Sequence, residues 1–181
     1  LTAANGALRL TPSASLYGGK YGGTIDVVVE DKAARLAADQ QLDQVDVGAL
    51  GRDLLGSEDI KGTGNVKLKV AAAGTNLGQI RRDLDGDVSF SIANGSIEGI
   101  DLWYELRRAR ARLDKAQVPE RGSGPPRTSF SALTASGVVE NAVLTNRDLT
   151  GKLDFMTLTG NGTVNLLTNA IDFDLKATFI D

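Results

Sequence analysis

The sequence predicts an α+β fold that is mainly β: a large, curved, mostly antiparallel sheet, shaped as a groove or taco, with one long helix and two short helices. Three observations carry that expectation. Most of the 181 residues fall into segments where apolar and polar side chains alternate, the period of a strand with one face buried. Helical spacing is confined to one stretch near Asp101–Asp114 and two shorter ones. The apolar 41% of the chain is Leu, Val, Ile and Ala, with aromatics at only 5%, which suits a broad pleated face.

From the N-terminus, Leu8 and Leu10 flank Arg9, and Thr11-Pro12 interrupts the run before Ala14–Tyr17. The glycine pairs on both sides of Lys20-Tyr21 predict a hairpin connection or a relieved bend. Thr24–Glu30 alternates again, with Ile25, Val27 and Val29 on one face. Leu36–Val45 reads as a less regular strand running into a short helix, Val47–Leu55, which Gly56 closes. Val66, Leu68, Val70 and Ala72 share one face of the next strand, and Asn76 is placed to cap a second short helix, Leu77–Leu84.

The centre of the chain is Gly86–Leu113. Val88, Phe90 and Ile92 alternate with Asp87, Ser89, Ser91 and Ala93, and Asn94-Gly95 predicts a tight reversal into Ser96–Ile100. The period then changes: Leu102, Leu106, Ala109 and Leu113 form one stripe of a helix that Asp101 is placed to cap. Residues 117–127 hold Pro119, Gly122, Gly124, Pro125 and Pro126, the composition of a disordered loop. Strands follow at Phe130–Val139, Ala142–Thr145, Leu149–Phe155, Leu158–Leu166 and Ala170–Ile180. In the last, Ile171, Phe173, Leu175, Ala177 and Phe179 alternate strictly with polar neighbours over roughly 30 Å at ~3.3 Å per residue.

So many one-faced strands, against so little helix, leave two arrangements. Either the sheet closes over its own helix as a core, or part of its apolar face stays available to an apolar ligand.

Composition excludes several functions. A net charge of −3 gives no basic footprint for nucleic acid. The chain has no histidine and no cysteine, which removes the commonest general base and zinc ligand, the thiolate sites and the usual nucleophile pairs. Asp83, Asp85 and Asp87 miss the spacing of a calcium loop, so no metal and no cofactor are expected. Asp172 with Asp174, or Glu98 with Asp101, offer no facing pair of carboxylates across a cleft; no catalytic residue is assigned. Asn94-Gly95-Ser96 and Asn161-Gly162-Thr163 match the glycosylation sequon but are fully explained as β-turns. Arg107, Arg108, Arg110 and Arg112 flank the helix behind Trp103 and Tyr104. Besides an ordinary solvated face, this arrangement suits anionic lipid headgroups or an acidic partner. The chain opens on Leu, inside a strand-like pattern, and is read as a single domain excised from a longer protein, 1–181.

Several runs carry a family resemblance. GALRLTPSASLYGGKYGG from Gly6, GTGNVKLKVAAAGTN from Gly62, DLDGDVSFSIANGSIEGIDL from Asp83, TSFSALTASGVVENAVLTNRDL from Thr128 and LTGNGTVNLLTNAIDFDL from Leu158 resemble, in order and spacing, the C-terminal region of the AsmA family of bacterial envelope proteins. Ala142 departs from that pattern, which leads one to expect glycine before the valine. The resemblance implies a periplasmic module of a protein anchored in the inner membrane by a segment outside this chain. It further implies kinship with bridge-like lipid-transfer proteins, a link to phospholipid traffic and outer-membrane integrity, and no enzymatic activity.

Two readings result. In the first, Val88, Phe90, Ile92, Val164, Leu166, Ile171, Phe173, Leu175 and Phe179 line a groove for phospholipid acyl chains, with Trp103, Arg107, Arg108, Arg110 and Arg112 meeting headgroups or a partner. In the second, the same face is a closed core, and the domain caps the groove or docks an envelope protein.

Overall fold

The computed structural model describes residues 2–4 and 6–180. Among them, eleven strands form one open antiparallel sheet: β1 (Thr2–Ala4), β2 (Ala7–Leu10), β3 (Ser13–Leu16), β4 (Gly19–Glu30), β5 (Ala33–Asp46), β6 (Ile60–Gly74), β7 (Asp85–Glu98), β8 (Arg127–Glu140), β9 (Val143–Lys152), β10 (Met156–Asn165) and β11 (Ala170–Phe179). Three helices interrupt them: α1 (Val47–Leu55), α2 (Leu77–Arg82) and α3 (Leu102–Leu113). From β4 onward every strand pairs with the next in sequence, a meander with local connections. β2 and β3 divide the length of β4, opposite Ile25–Val28 and Gly19–Gly22 respectively. On that margin Arg9 meets Asp26 through two side-chain hydrogen bonds of 2.5 and 2.9 Å, fixing β2 on β4.

The expected mainly β, antiparallel architecture is present, but its helices are all short. The one expected to be long has 12 residues, against 9 and 6 for the others. Asp101 caps it through Tyr104 N at 2.9 Å. It stops at Asp114, where Lys115 takes a positive φ of 51° and Pro119 lies ahead. The segment 117–126 has no regular secondary structure. Asp46 and Asn76 cap α1 and α2, and Gly56 closes α1 with φ 71°.

Three other expectations are corrected. Asn94-Gly95 does not reverse the chain: β7 runs unbroken from Asp85 to Glu98, and Asn94, at φ 51°, is the extra residue of a bulge opposite β6. The tolerance for positive φ that makes Asn-Gly a turn signal serves a bulge equally well. The glycines at 19, 22 and 23 lie inside β4; the reversal is at Tyr17-Gly18, φ 50° and 76°. Residues 143–152 are one strand with its own bulge, and Asn161-Gly162 sits mid-strand opposite that bulge.

The β9 bulge is held by side chains. Asn146 is buried, and its amide donates to Ser136 O at 2.7 Å and to Asp148 Oδ1 at 2.8 Å. Asp148 also accepts from Ser136 N and Oγ at 2.7 and 2.5 Å. The Ser136 hydroxyl, then its backbone N–H, hold the Asp148 carboxyl below the usual carboxylate range.

The packed core sits at one end of the sheet. Ile92, Phe130, Leu133, Leu153 and Met156 form it, with Val47 of α1 and Leu102 and Leu106 of α3 packed on top. Gly95 belongs to this end: a Cβ there would stand 2.1 Å from Lys61 O and 2.4 Å from the Phe130 ring. α2 lies against the opposite end of β6 and buries no residue.

Candidate functional site

Directly opposed residues of neighbouring strands share a face, so register alone follows the apolar side chains across the molecule. One row passes through nine strands: Leu10, Ile25, Ala38, Val70, Gly86, Val139, Leu144, Val164 and Ile171. The next runs from Gln40 through Leu68, Val88, Gly137, Asn146 and Gly162 to Phe173. A third joins Tyr21, Leu42, Val66, Phe90 and Ala135. The opposite face is polar, and its charges alternate in sign where Asp39, Lys69 and Asp87 stand opposite one another. A slip of one residue would exchange the two faces, so this pattern also holds the register.

This apolar face is only partly covered. Ile25, Leu36, Val66, Leu68, Val70, Val88 and Phe90 are half-buried, and on β11 Ile171, Leu175 and Phe179 are 71%, 60% and 54% exposed. β11 is the edge strand, paired on one side only, which accounts for its greater exposure. α1 and α3 pack at the core end, α2 at the far end of β6, and the width of sheet between them carries no helix.

The sequence-predicted face residues distribute as follows. Val88, Phe90, Val164, Ile171, Phe173, Leu175 and Phe179 stand on the apolar face. Ile92 shares that face but is buried in the core cluster, 6% exposed. Leu166 lies past the end of β10, where its N–H donates to Ala142 O at 2.9 Å. Sequence reasoning saw the alternation of Ile25, Val27, Val66, Leu68 and Val70 but did not assign these residues to the site. Nothing in a single sequence states that strands so far apart lie in one register with Val88.

α3 closes the core end. Of its predicted stripe, Leu102 and Leu106 pack on the cluster, whereas Ala109 is exposed and Leu113 is 84% exposed. Ala111, on the other side of the helix, is buried instead. Trp103 packs against Phe155 with ring centroids 4.2 Å apart and planes tilted by 44°, and carries Arg107 at 5.4 Å. Arg121 stands 5.2 Å over Tyr104. Arg108 pairs with Glu105 at 2.9 Å, and Arg110 with Asp114 at 3.5 Å. The headgroup or partner candidates thus gather on one short helix, with Arg112 in its last turn.

No metal-binding cluster of three or more acidic side chains occurs among the described residues. Asp83 and Asp85 accept backbone N–H groups instead, from Ala73 and Asn141, each at 2.7 Å. No helix among the described residues is long and apolar enough to cross a membrane.

The model of the AsmA family matches residues 1–149, most of the chain and every element through most of β9. No curated protein and no solved structure matches.

Proposed function

The chain belongs to the AsmA family, and on that premise we propose that it is a non-enzymatic periplasmic module whose apolar sheet face shields phospholipid acyl chains in transit between the inner and outer membranes. Membership fits a lipid-transport-related family whose proteins are associated with the cell envelope. One observation carries the finer reading: an apolar ladder, continuous in register from β2 to β11, is left without helical cover along its middle. A fold that needed this face only for its own stability would bury it, because each methylene removed from water contributes about 0.8 kcal/mol. The same gain is open to an acyl chain laid along the rows, which run perpendicular to the strands at ~4.8 Å per strand. Nine strands then span eight such intervals, roughly 38 Å, longer than an extended acyl chain.

Native mass spectrometry after incubation with phospholipid vesicles tests the reading. The expected result is protein carrying phospholipid, and a Phe173→Arg variant that melts near the wild type but carries much less. A clean lipid-free mass for the wild type would sink the reading. Loss of folding in Phe173→Arg would favour the closed-core alternative, in which the domain serves as a cap or docking module.

A further inference from the structure

We propose that the exposed half of α3 is a docking surface for an anionic phospholipid bilayer. The inference deepens the acyl-chain reading, since it assigns the end of the apolar face that faces a membrane, and three observations carry it. The first is the unfinished stripe. At 100° per residue, Leu102, Leu106, Ala109 and Leu113 fall within an arc of about 60°. Leu102 and Leu106 are packed, while Leu113 is 84% exposed. Arg110 and Arg112 stand about 60° and 100° to either side of Leu113, so the free end of α3 has an apolar crest between cations, the pattern of a helix lying in a membrane interface.

The second is charge. Residues 101–127 carry seven Lys and Arg against four Asp and Glu, net +3, while the remainder of the chain is −6 against the total of −3. The cations are therefore segregated at this end, as attraction to an anionic surface requires. Three of the four acids are engaged locally: Asp101 caps the helix, and Glu105 and Asp114 pair with Arg108 and Arg110. The third is the apolar surround. Ile100, Trp103 and Val118 are 54%, 39% and 44% exposed beside this helix, and tryptophan with its polar N–H belongs at a headgroup boundary.

Trp103 is the only tryptophan and reports on the surface directly. The experiment titrates the protein with vesicles of phosphatidylcholine containing phosphatidylglycerol, following Trp103 emission and its quenching by brominated acyl chains. A blue shift, quenching and cosedimentation are expected, all weakening as salt rises. Arg110→Glu with Arg112→Glu should bind at least thirty-fold more weakly, from about a fivefold loss per cation removed. Leu113→Ser should lose most of the quenching. Arg110 and Leu113 are 86% and 84% exposed and the Arg110–Asp114 pair is a surface one, so these variants should keep the wild-type circular dichroism and melt within a few degrees of it.

Equal binding by the arginine variant, equal binding to pure phosphatidylcholine, or no binding at all overturns the proposal. A response to polyglutamate but not to vesicles overturns it in favour of an acidic polypeptide. Failure here leaves the acyl-chain reading standing on the Phe173→Arg result, because uptake is measured separately from docking.

Discussion

The core end of the sheet and its bare expanse are built from the same material. Ile92 and Val88 lie on one strand, four residues apart and on one face, yet Ile92 is in the core cluster, 6% exposed, and Val88 is only half-buried. Phe130 on β8 is 4% exposed, Phe179 on β11 54%. Residue type and alternation are alike, so the difference comes from the neighbours: two helices above one end, nothing above the middle rows, and no strand beyond β11, whose Phe179 stands opposite the buried Met156. Alternation decides which side chains share a face, and the placement of a few helical turns decides which of them become core. Stability is thereby concentrated at one end, and the rest of the apolar surface is available for other work.

Truncations should separate the two regions most sharply. Phe130→Ala removes a buried ring that packs on Ile92 and roofs Gly95, and should cost about 3–5 kcal/mol in urea unfolding. Leu175→Ala, 60% exposed on the edge strand, should cost under about 1 kcal/mol. Similar losses at both positions would show that the bare rows are core after all, and would break the contrast.

A smaller effect is expected from acid. Asp148 accepts from Ser136 Oγ and N and from the Asn146 amide, and these bonds hold its carboxyl below the usual range. A lowered folded-state value means that its contribution is fully present above the unfolded carboxyl value of about 3.9 and is lost as pH falls through the folded value. Asp148 is exposed, so water screens the effect and its size is modest. Between about pH 5 and pH 3, the urea midpoint of the wild type should fall more than that of Asp148→Asn. Parallel curves would remove this network as a support for the β9 bulge on the bare side.

The features that were readable in the sequence and those that were not divide along the same physical line. Period-two segments such as Asp87–Ala93 and Ala170–Phe179 announce strand and face because both are local properties. The caps Asn76 and Asp101 and the closing Gly56 are local too, and each is where the sequence places it. Asn94-Gly95 misled because the dipeptide reports only a permitted φ, while the choice between reversal and bulge depends on β6 and β8 continuing alongside. The site was half legible for the same reason. Val88 and Phe173 were assigned to it from their own strands, whereas Leu68 and Val66 join them only through pairings that a single sequence does not state. The sequence marks the α3 stripe as one face as far as Leu113 but does not say how far the sheet cluster beneath it extends, which is only to Leu106.

The smallest effect concerns how the far end is held. There the anchor is main chain: Ala142 N donates to Leu84 O at 2.8 Å, and Leu166 N donates to Ala142 O at 2.9 Å. Ala142 itself adopts φ 61° and is 1% exposed, at the position where the family resemblance leads one to expect glycine. Replacing it with glycine relieves roughly 1–2 kcal/mol of left-handed strain. The same change gives up a buried methyl, about 0.8 kcal/mol, and adds about 0.5–1 kcal/mol of unfolded-chain entropy. The terms nearly cancel, so Ala142→Gly should melt within about 2 °C of the wild type. Ala142→Val keeps the strain, adds a β-branch at positive φ and has no room for it, so it should cost about 2 kcal/mol or more. A large gain from glycine would mean that the strained turn, more than the missing helix, limits the stability of the bare side.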